Sequence, residues 1–324
     1  MKKTFLFFAF ILLLTACGQT SQKEQGTDNS SSKLQVYTTV YPLTYFTERI
    51  AGDLVDVQSI YPAGSNEHTF EPSQQDMIKL ADANILFSIG LGLEGFIDSA
   101  KKTLKDENVE FVATADRISD TELEAALGHT EGDHEEEPAE ETESHDGHAH
   151  GSTDPHVWMS PVLSEQLAES IKDSLTKADP KNTELYESNY AELIVDLETL
   201  NQSFASLSER VSKDTFFVSH AAFGYLSEPY GFKQMAIAGL NSQNEPSQKE
   251  LTEMVDLAKE NDLQYIVFEQ NVSSNLTKVI QKEVGAEAIE MHNLGVLTQE
   301  NIDNKETYFT LMEKNLQVLE KILN

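Results

Sequence analysis

"YESNYAELIVDLETLNQSFASLSERV", residues 186 to 211, is the most regular stretch of the chain. Tyr186, Tyr190, Leu193, Leu197, Leu200, Phe204, Leu207 and Val211 step by four and three in alternation, so they share one face of an α-helix. The stripe predicts one helix of about 29 residues, roughly 40 Å long. A self-associating coiled coil would carry the same stripe. A helix that spans two lobes and packs on both explains it as well, and the flanking sequence fits that second reading.

On both sides of the stripe, strand and helix patterns alternate. Upstream, "LQVYTTV" (34–40), "DVQSIYPAG" (56–64), "NILFSIG" (84–90) and "VEFVAT" (109–114) read as strands. Between them, "YFTERIAG", "EPSQQDMIKLADA" and "GFIDSAKKTL" read as helices, the second with a Ser73-x-x-Asp76 capping box. "SPVLSEQLAESIKDSLTKADP" (160–180) opens with Ser160 as a cap and Pro161 at the first helical position. Downstream, "TFFVSH" (215–220), "LQYIVFE" (263–269) and "AEAIEMH" are strands, separated by helices at 247–262 and in "SNLTKVIQKEVG". A last helix runs through "ETYFTLMEKNLQVLEKIL". Such alternation predicts two α/β lobes, each with a mostly parallel sheet covered by helices. The expected boundaries are 33–180 for the N-terminal lobe, 181–212 for the linking helix and 213–324 for the C-terminal lobe.

The N-terminus reads as an export signal. Met1-Lys2-Lys3 is basic, Thr4 to Leu14 is apolar, and small residues follow. The apolar run is short of the ~20 residues a membrane span needs. Leu14-Thr15-Ala16-Cys17 resembles the bacterial lipoprotein processing box, which implies that residues 1–17 end at a lipidated Cys17. Cys17 is the only cysteine, so disulfides are excluded. Residues 18–32 are polar and low in apolar content, as a flexible tether is. The expected location is the cell membrane, lipid-anchored, on its extracytoplasmic face. Formal net charge is −32, from 55 acidic and 23 basic residues. Nucleic acid is argued against, because phosphate binding needs clustered Lys and Arg. Cation ligands are compatible with such a surface.

Histidines carry the strongest chemical signal. Residues 129 to 158 hold six of nine. His129, His134, His145, His148 and His150 sit in an acidic insertion, expected over 128–153, with nine carboxylates between Glu131 and Asp146. A stretch so charged must be solvated and extended at neutral pH, so it builds no rigid cage. It is read as an auxiliary loop that binds zinc weakly and raises its local concentration. His68, His156 and His220 instead stand at strand-to-loop junctions, where open α/β sheets form ligand sites. Three imidazoles there suit zinc best, whereas manganese would want more carboxylate.

With those residues in place, the chain from about Leu34 to its C-terminus resembles the substrate-binding lipoproteins of metal-uptake ABC transporters, specifically the zinc branch. "YPAGSNEHTFEPS" resembles the first-ligand loop and implies His68; "DPHVWMSP" implies His156; "SHAAFGYL" implies His220. The resemblance implies two α/β lobes bridged by one long rigid helix, with Zn2+ in the inter-lobe cleft and Mn2+ a lesser fit. It also implies a monomer that hands its ion to the permease of the same uptake system. Many members take a fourth ligand from a loop after the penultimate strand. Here Gly295 stands in that place, which leaves Glu67, His292 or water as the possible fourth ligand. Glu269 is read as orienting a ligand or carrying a lobe contact.

Other classes fare less well. "GLGLEG" contains Gly90-x-Gly92-x-x-Gly95, a dinucleotide fingerprint, but it follows the third strand rather than the first. A zinc hydrolase also uses three histidines and water. Yet the sequence has no His-Glu-x-x-His, and Ser219 and His220 point to opposite sides of their strand. No enzyme is expected. A metal-binding surface adhesin or interaction lipoprotein is the alternative from a different class.

Overall fold

The computed structural model describes residues 33–128, 153–242, 247–260, 263–271 and 275–324. Cys17, the tether and His129, His134, His145, His148 and His150 lie outside the described residues. The first lobe runs β1 (Leu34–Thr38), α1 (Tyr41–Ala51), β2 (Val55–Ser59), α2 (Gln74–Ala81), β3 (Ile85–Ser88), α3 (Ile97–Thr103), β4 (Glu110–Ala113) and α4 (Asp120–Ala126). Two long helices follow, α5 (Pro161–Ala178) and α6 (Thr183–Ser208). The second lobe runs β5 (Thr215–His220), α7 (Gly224–Ser227), β6 (Lys233–Ala238), α8 (Gln248–Glu260), β7 (Tyr265–Glu269), α9 (Asn275–Val284) and β8 (Glu287–Met291). It closes with α10 (Gln299–Asp303) and α11 (Tyr308–Ile322).

Among the described residues the strands form two four-stranded parallel sheets, ordered β2-β1-β3-β4 and β6-β5-β7-β8. The two orders are the same winding repeated. In each, the chain leaves the first strand toward one edge and returns to build the other. A crevice therefore opens between the carboxyl ends of β1 and β3, and again between those of β5 and β7. Register aligns these ends: Thr38 pairs with Ser59 and Phe87, His220 with Ala238, and Glu269 with Met291. His220 and Glu269 thus flank the second crevice as the last residues of their strands.

The first crevice is filled by the protein itself. Gly90 and Gly92 adopt φ of 86° and 81° in a tight turn after β3. The turn delivers Glu94, whose carboxylate accepts from the Ile89 and Gly90 amides at 2.8 and 3.0 Å and from the Thr39 hydroxyl at 2.7 Å. The glycine turn is thus shaped around the chain's own carboxylate.

Helix α6 bridges the lobes. Tyr186, Leu193, Leu197, Leu200, Phe204 and Leu207 are buried along it, and Tyr190 is half-buried. Full burial of each such side chain is worth about 1.5–3 kcal/mol. Its N-terminal part packs on α1 and α5, its C-terminal part on α11. At 26 residues it is shorter than the expected helix, starting three residues before the stripe and ending before Val211. The Arg210 and Val211 amides still turn back to Leu207, but those of Ser212 and Lys213 donate to the Leu323 carbonyl, which diverts the chain into β5.

Helix α11 returns from the second lobe onto the first. Buried Tyr308 sets its ring 5.0 Å from that of Phe46 in α1 and donates its hydroxyl to the Trp158 carbonyl at 2.9 Å. One hydrophobic core therefore runs through both lobes. A smaller separate cluster, Phe217, Ile237, Ala258, Ile266, Ile280 and Ala286, lies beneath α8 and α9. Among the described residues, no helix is long and apolar enough to cross a membrane.

Candidate metal centre

His68 sits in the loop after β2, where Asn66 Oδ1 accepts its amide at 2.9 Å. His156 precedes a short 3-10 turn, Val157–Met159, and is fully buried. His220 ends β5 and is equally buried. These residues, 88 and 64 positions apart along the chain, bring three ring nitrogens to one point. His156 Nε2 lies 3.3 Å from His68 Nε2 and 3.4 Å from His220 Nε2, and one nitrogen of each ring falls within 4.8 Å of the others. A tetrahedral ion with nitrogen ligands at ~2.0–2.1 Å separates them by about 3.3–3.4 Å. The two spacings made by His156 already match it. Their residue types suit a borderline-soft divalent cation of the zinc type.

The far side of each buried ring is held by a carboxylate. His156 Nδ1 lies 2.7 Å from Asp154 Oδ1, which also accepts the His156 amide at 2.9 Å. His220 Nδ1 lies 2.6 Å from Glu269 Oε2. Glu269 Oε1 accepts from the Ser219 hydroxyl at 2.6 Å and the His220 amide at 3.1 Å. At His156 the Nδ1–H bound to Asp154 leaves Nε2 as the free lone pair, the tautomer a metal needs, whereas the His220 Nδ1 approach to Glu269 is a close ion-pair contact outside hydrogen-bond alignment. Ser219 gives its hydroxyl to Glu269 and is not aimed at the imidazoles.

Electrostatics separate the three rings. Burial, with His156 and His220 nearby, pushes His68 down to about 3. Burial also opposes charge on His220, but Glu269, with Glu67 and Asp154 beyond, overrides it and holds the ring above the usual histidine range. For Glu269, burial works upward, and His220 and Ser219 override it to hold the carboxyl below its usual range. Burial pushes Glu67 up despite its histidine neighbours.

Glu67 stands beside the three-imidazole group. Its Oε1 accepts from Asn293 Nδ2 at 2.8 Å, and its buried Oε2 has no hydrogen-bond partner. A Cβ on Gly295 would meet the Glu67 Cδ and Oε1 at 2.7 Å, so the missing side chain at 295 is the room the carboxylate occupies. His292 is not brought to the group. It lines a separate cavity of about 470 Å³ with Glu290, Glu300, Glu306 and Lys314, and its backbone is pinned on both sides by Asn315. That corrects the expectation for His292: the chain turns its ring away from the cleft immediately after β8.

Sequence reading missed three contributors. Asp154 was within reach, since a ligand-type histidine commonly gives its other ring N–H to a carboxylate and Asp154 is a near neighbour in the chain. Trp158, whose ring lies 5.3 Å from that of His156, and Asn293 carry no signal of their own.

Two parallel-sheet lobes joined by one helix, with three converging imidazoles where the sheets' carboxyl ends meet, define a class of cleft-type α/β binding protein with a metal donor set. The chain belongs to the zinc-uptake complex component A periplasmic family, whose model matches residues 36–322. The zinc-binding lipoprotein AdcA of Streptococcus pneumoniae strain R6 is 35% identical over 324 residues, covering 99% of this chain and 61% of that protein. The high-affinity zinc uptake system protein ZnuA of Bacillus subtilis strain 168 is 34% identical over 320 residues, covering 98% and 96%. The crystal structure of the Zn(II)-bound ZnuA-like domain of Streptococcus pneumoniae AdcA superposes with a TM-score of 0.69 at 33% identity, covering 90% of this chain and 99% of that one. The chain thus spans 61% of the length of the streptococcal AdcA relatives, and nearly all of the Bacillus one.

Proposed function

We propose that this chain is an extracytoplasmic zinc receptor that captures Zn2+ and hands it to an ABC permease. His68, His156 and His220 are its ligands, and Glu67 or a water closes the fourth position. Asp154 holds the His156 ring in the metal-binding tautomer, and Glu269 backs the His220 ring as an ion-pair partner. Cys17 anchors the chain to the membrane, and the 128–153 insertion gathers ions near the cleft. The lobes are 33–180 and 213–324, bridged by 181–212, and the working unit is a monomer. Zinc is the cargo: nothing in the donor set is asked to react with it, and release follows when a ligand is protonated or moved. Family membership favours uptake over the adhesin alternative.

The observation that carries this reading is the 3.3 and 3.4 Å spacing of the Nε2 atoms. Calorimetry tests it. The parent chain is expected to bind one tight zinc equivalent, still present after deletion of 129–150. His156→Ala and His220→Ala are each expected to abolish it. Tight binding retained by the double variant would refute the assignment.

A further inference from the structure

Resting on the zinc reading, we propose that Asn293 is the positioning residue of this centre: one carboxamide and one carbonyl tie together the supports of all three imidazoles. Asn293 lies in the loop after β8 and is 5% exposed. Its Nδ2 donates to Glu67 Oε1 at 2.8 Å and to Glu269 Oε2 at 3.2 Å. Glu67 is the chain neighbour of His68, and Glu269 is the carboxylate behind His220. Its backbone carbonyl accepts from Trp158 Nε1 at 2.7 Å, and Trp158 packs on His156. All three histidine-bearing segments therefore meet at one residue that touches no imidazole.

The chemistry fixes which way the amide faces. An NH2 group has two hydrogens, and two buried carboxylates take them. Turned over, the amide oxygen would oppose both carboxylates, and the NH2 would oppose the Gly295 N–H. As placed, Asn293 Oδ1 accepts that N–H at 3.0 Å. This bond also holds Leu294 at φ 58°, in the left-handed region. No other side chain is both small enough for this turn and able to donate twice while accepting once. Aspartate has the same size and reversed polarity. It would set a third carboxylate against Glu67 and Glu269.

Asn293 thus sets two distances at once: Glu67 to the open coordination position, and Glu269 to His220. Two variants test this, Asn293→Asp and Asn293→Ala. Zinc affinity is read by competition with a chromophoric chelator, and ligand geometry by the visible absorption of the Co2+-loaded protein. Circular dichroism and melting report folding. Removing such an outer partner typically weakens metal affinity 10–100-fold. We expect that range in both variants, together with altered intensity of the Co2+ bands. Folded variants with parental affinity and parental Co2+ spectra would overturn the proposal, because a loop-shaping role alone moves neither. If both variants fail to fold, Trp158→Phe removes the donor to the Asn293 carbonyl, together with part of the ring that packs on His156. Several-fold weaker zinc binding with a shifted spectrum is then expected, and parental values would overturn the proposal. A parent chain with no tight zinc site would sink the zinc reading itself. A tight parent with unaffected variants sinks only the role of Asn293.

Discussion

A methyl group at position 295 would lie 2.7 Å from the Glu67 carboxylate. Gly295 is not held at positive φ, so alanine there meets no backbone objection, and the clash with Glu67 is the whole effect. Gly295→Ala is therefore expected to displace Glu67 and weaken zinc binding by about tenfold. Combined with Glu67→Ala, it should add little further, a coupling that titration of the four proteins would read. The histidines set the pH response. His220 is held above its unfolded value of 6.5, so the metal-free native state keeps a proton the unfolded chain gives up. That contribution to stability is complete below 6.5 and is lost as pH rises through the raised value. His68 runs the other way. Between 6.5 and about 3 the unfolded chain holds a proton that the native one refuses, so stability drains as pH falls through that window. Where pH lies below the raised value of His220, zinc must displace a proton there, whereas above about 3 it finds none on His68. Calorimetry in buffers of different ionisation heat should report net proton release on binding, with affinity falling as pH falls. Binding with no proton released would contradict the pairing of His220 with Glu269.

Elements differ in how openly the sequence announces them. Ser73 and Ser160 mark their helix starts, and both side-chain caps form. "TFFVSH" is a strand over its whole length because aromatic and β-branched residues suit a buried pleat. "KQMAIA" is a strand too, β6, but it has a single β-branched residue and no alternation, so only pairing with β5 reveals it. Helix α4 was readable, since Ser119 and Glu122 form a capping box. Of the three clustered histidines only His220 ends a strand; His68 lies well into the loop after β2 and His156 ahead of a 3-10 turn, so strand ends alone pointed to one of them. Asn293 was not legible, because a loop asparagine gains meaning only when distant segments arrive around it. For α6, Phe204 is wholly buried and stacks on Tyr230 at 5.5 Å. Phe204→Ala should cost about 3–5 kcal/mol in denaturant unfolding, with zinc stoichiometry unchanged in the fraction that folds.

The whole molecule is stiff for a two-lobe protein. One core crosses from lobe to lobe, and α6 and α11 both pack across the divide. A packed interior shifts between discrete arrangements rather than bending freely. Small-angle scattering is therefore expected to give metal-free and zinc-loaded profiles that superpose closely, and a large change in radius of gyration would argue for a hinge. Removal of zinc should show in stability instead. At a free concentration a thousandfold above Kd, bound ligand contributes about 4.1 kcal/mol. A chain of this size should then melt about 6–7 °C lower after chelation. Glu94 has a further effect at this scale. The winding is made twice, and each copy has a place where a guest could lodge. In the first copy the chain's own acid has taken that seat, so the duplicated winding is expected to admit a single passenger, and a second tight equivalent on titration would count against it.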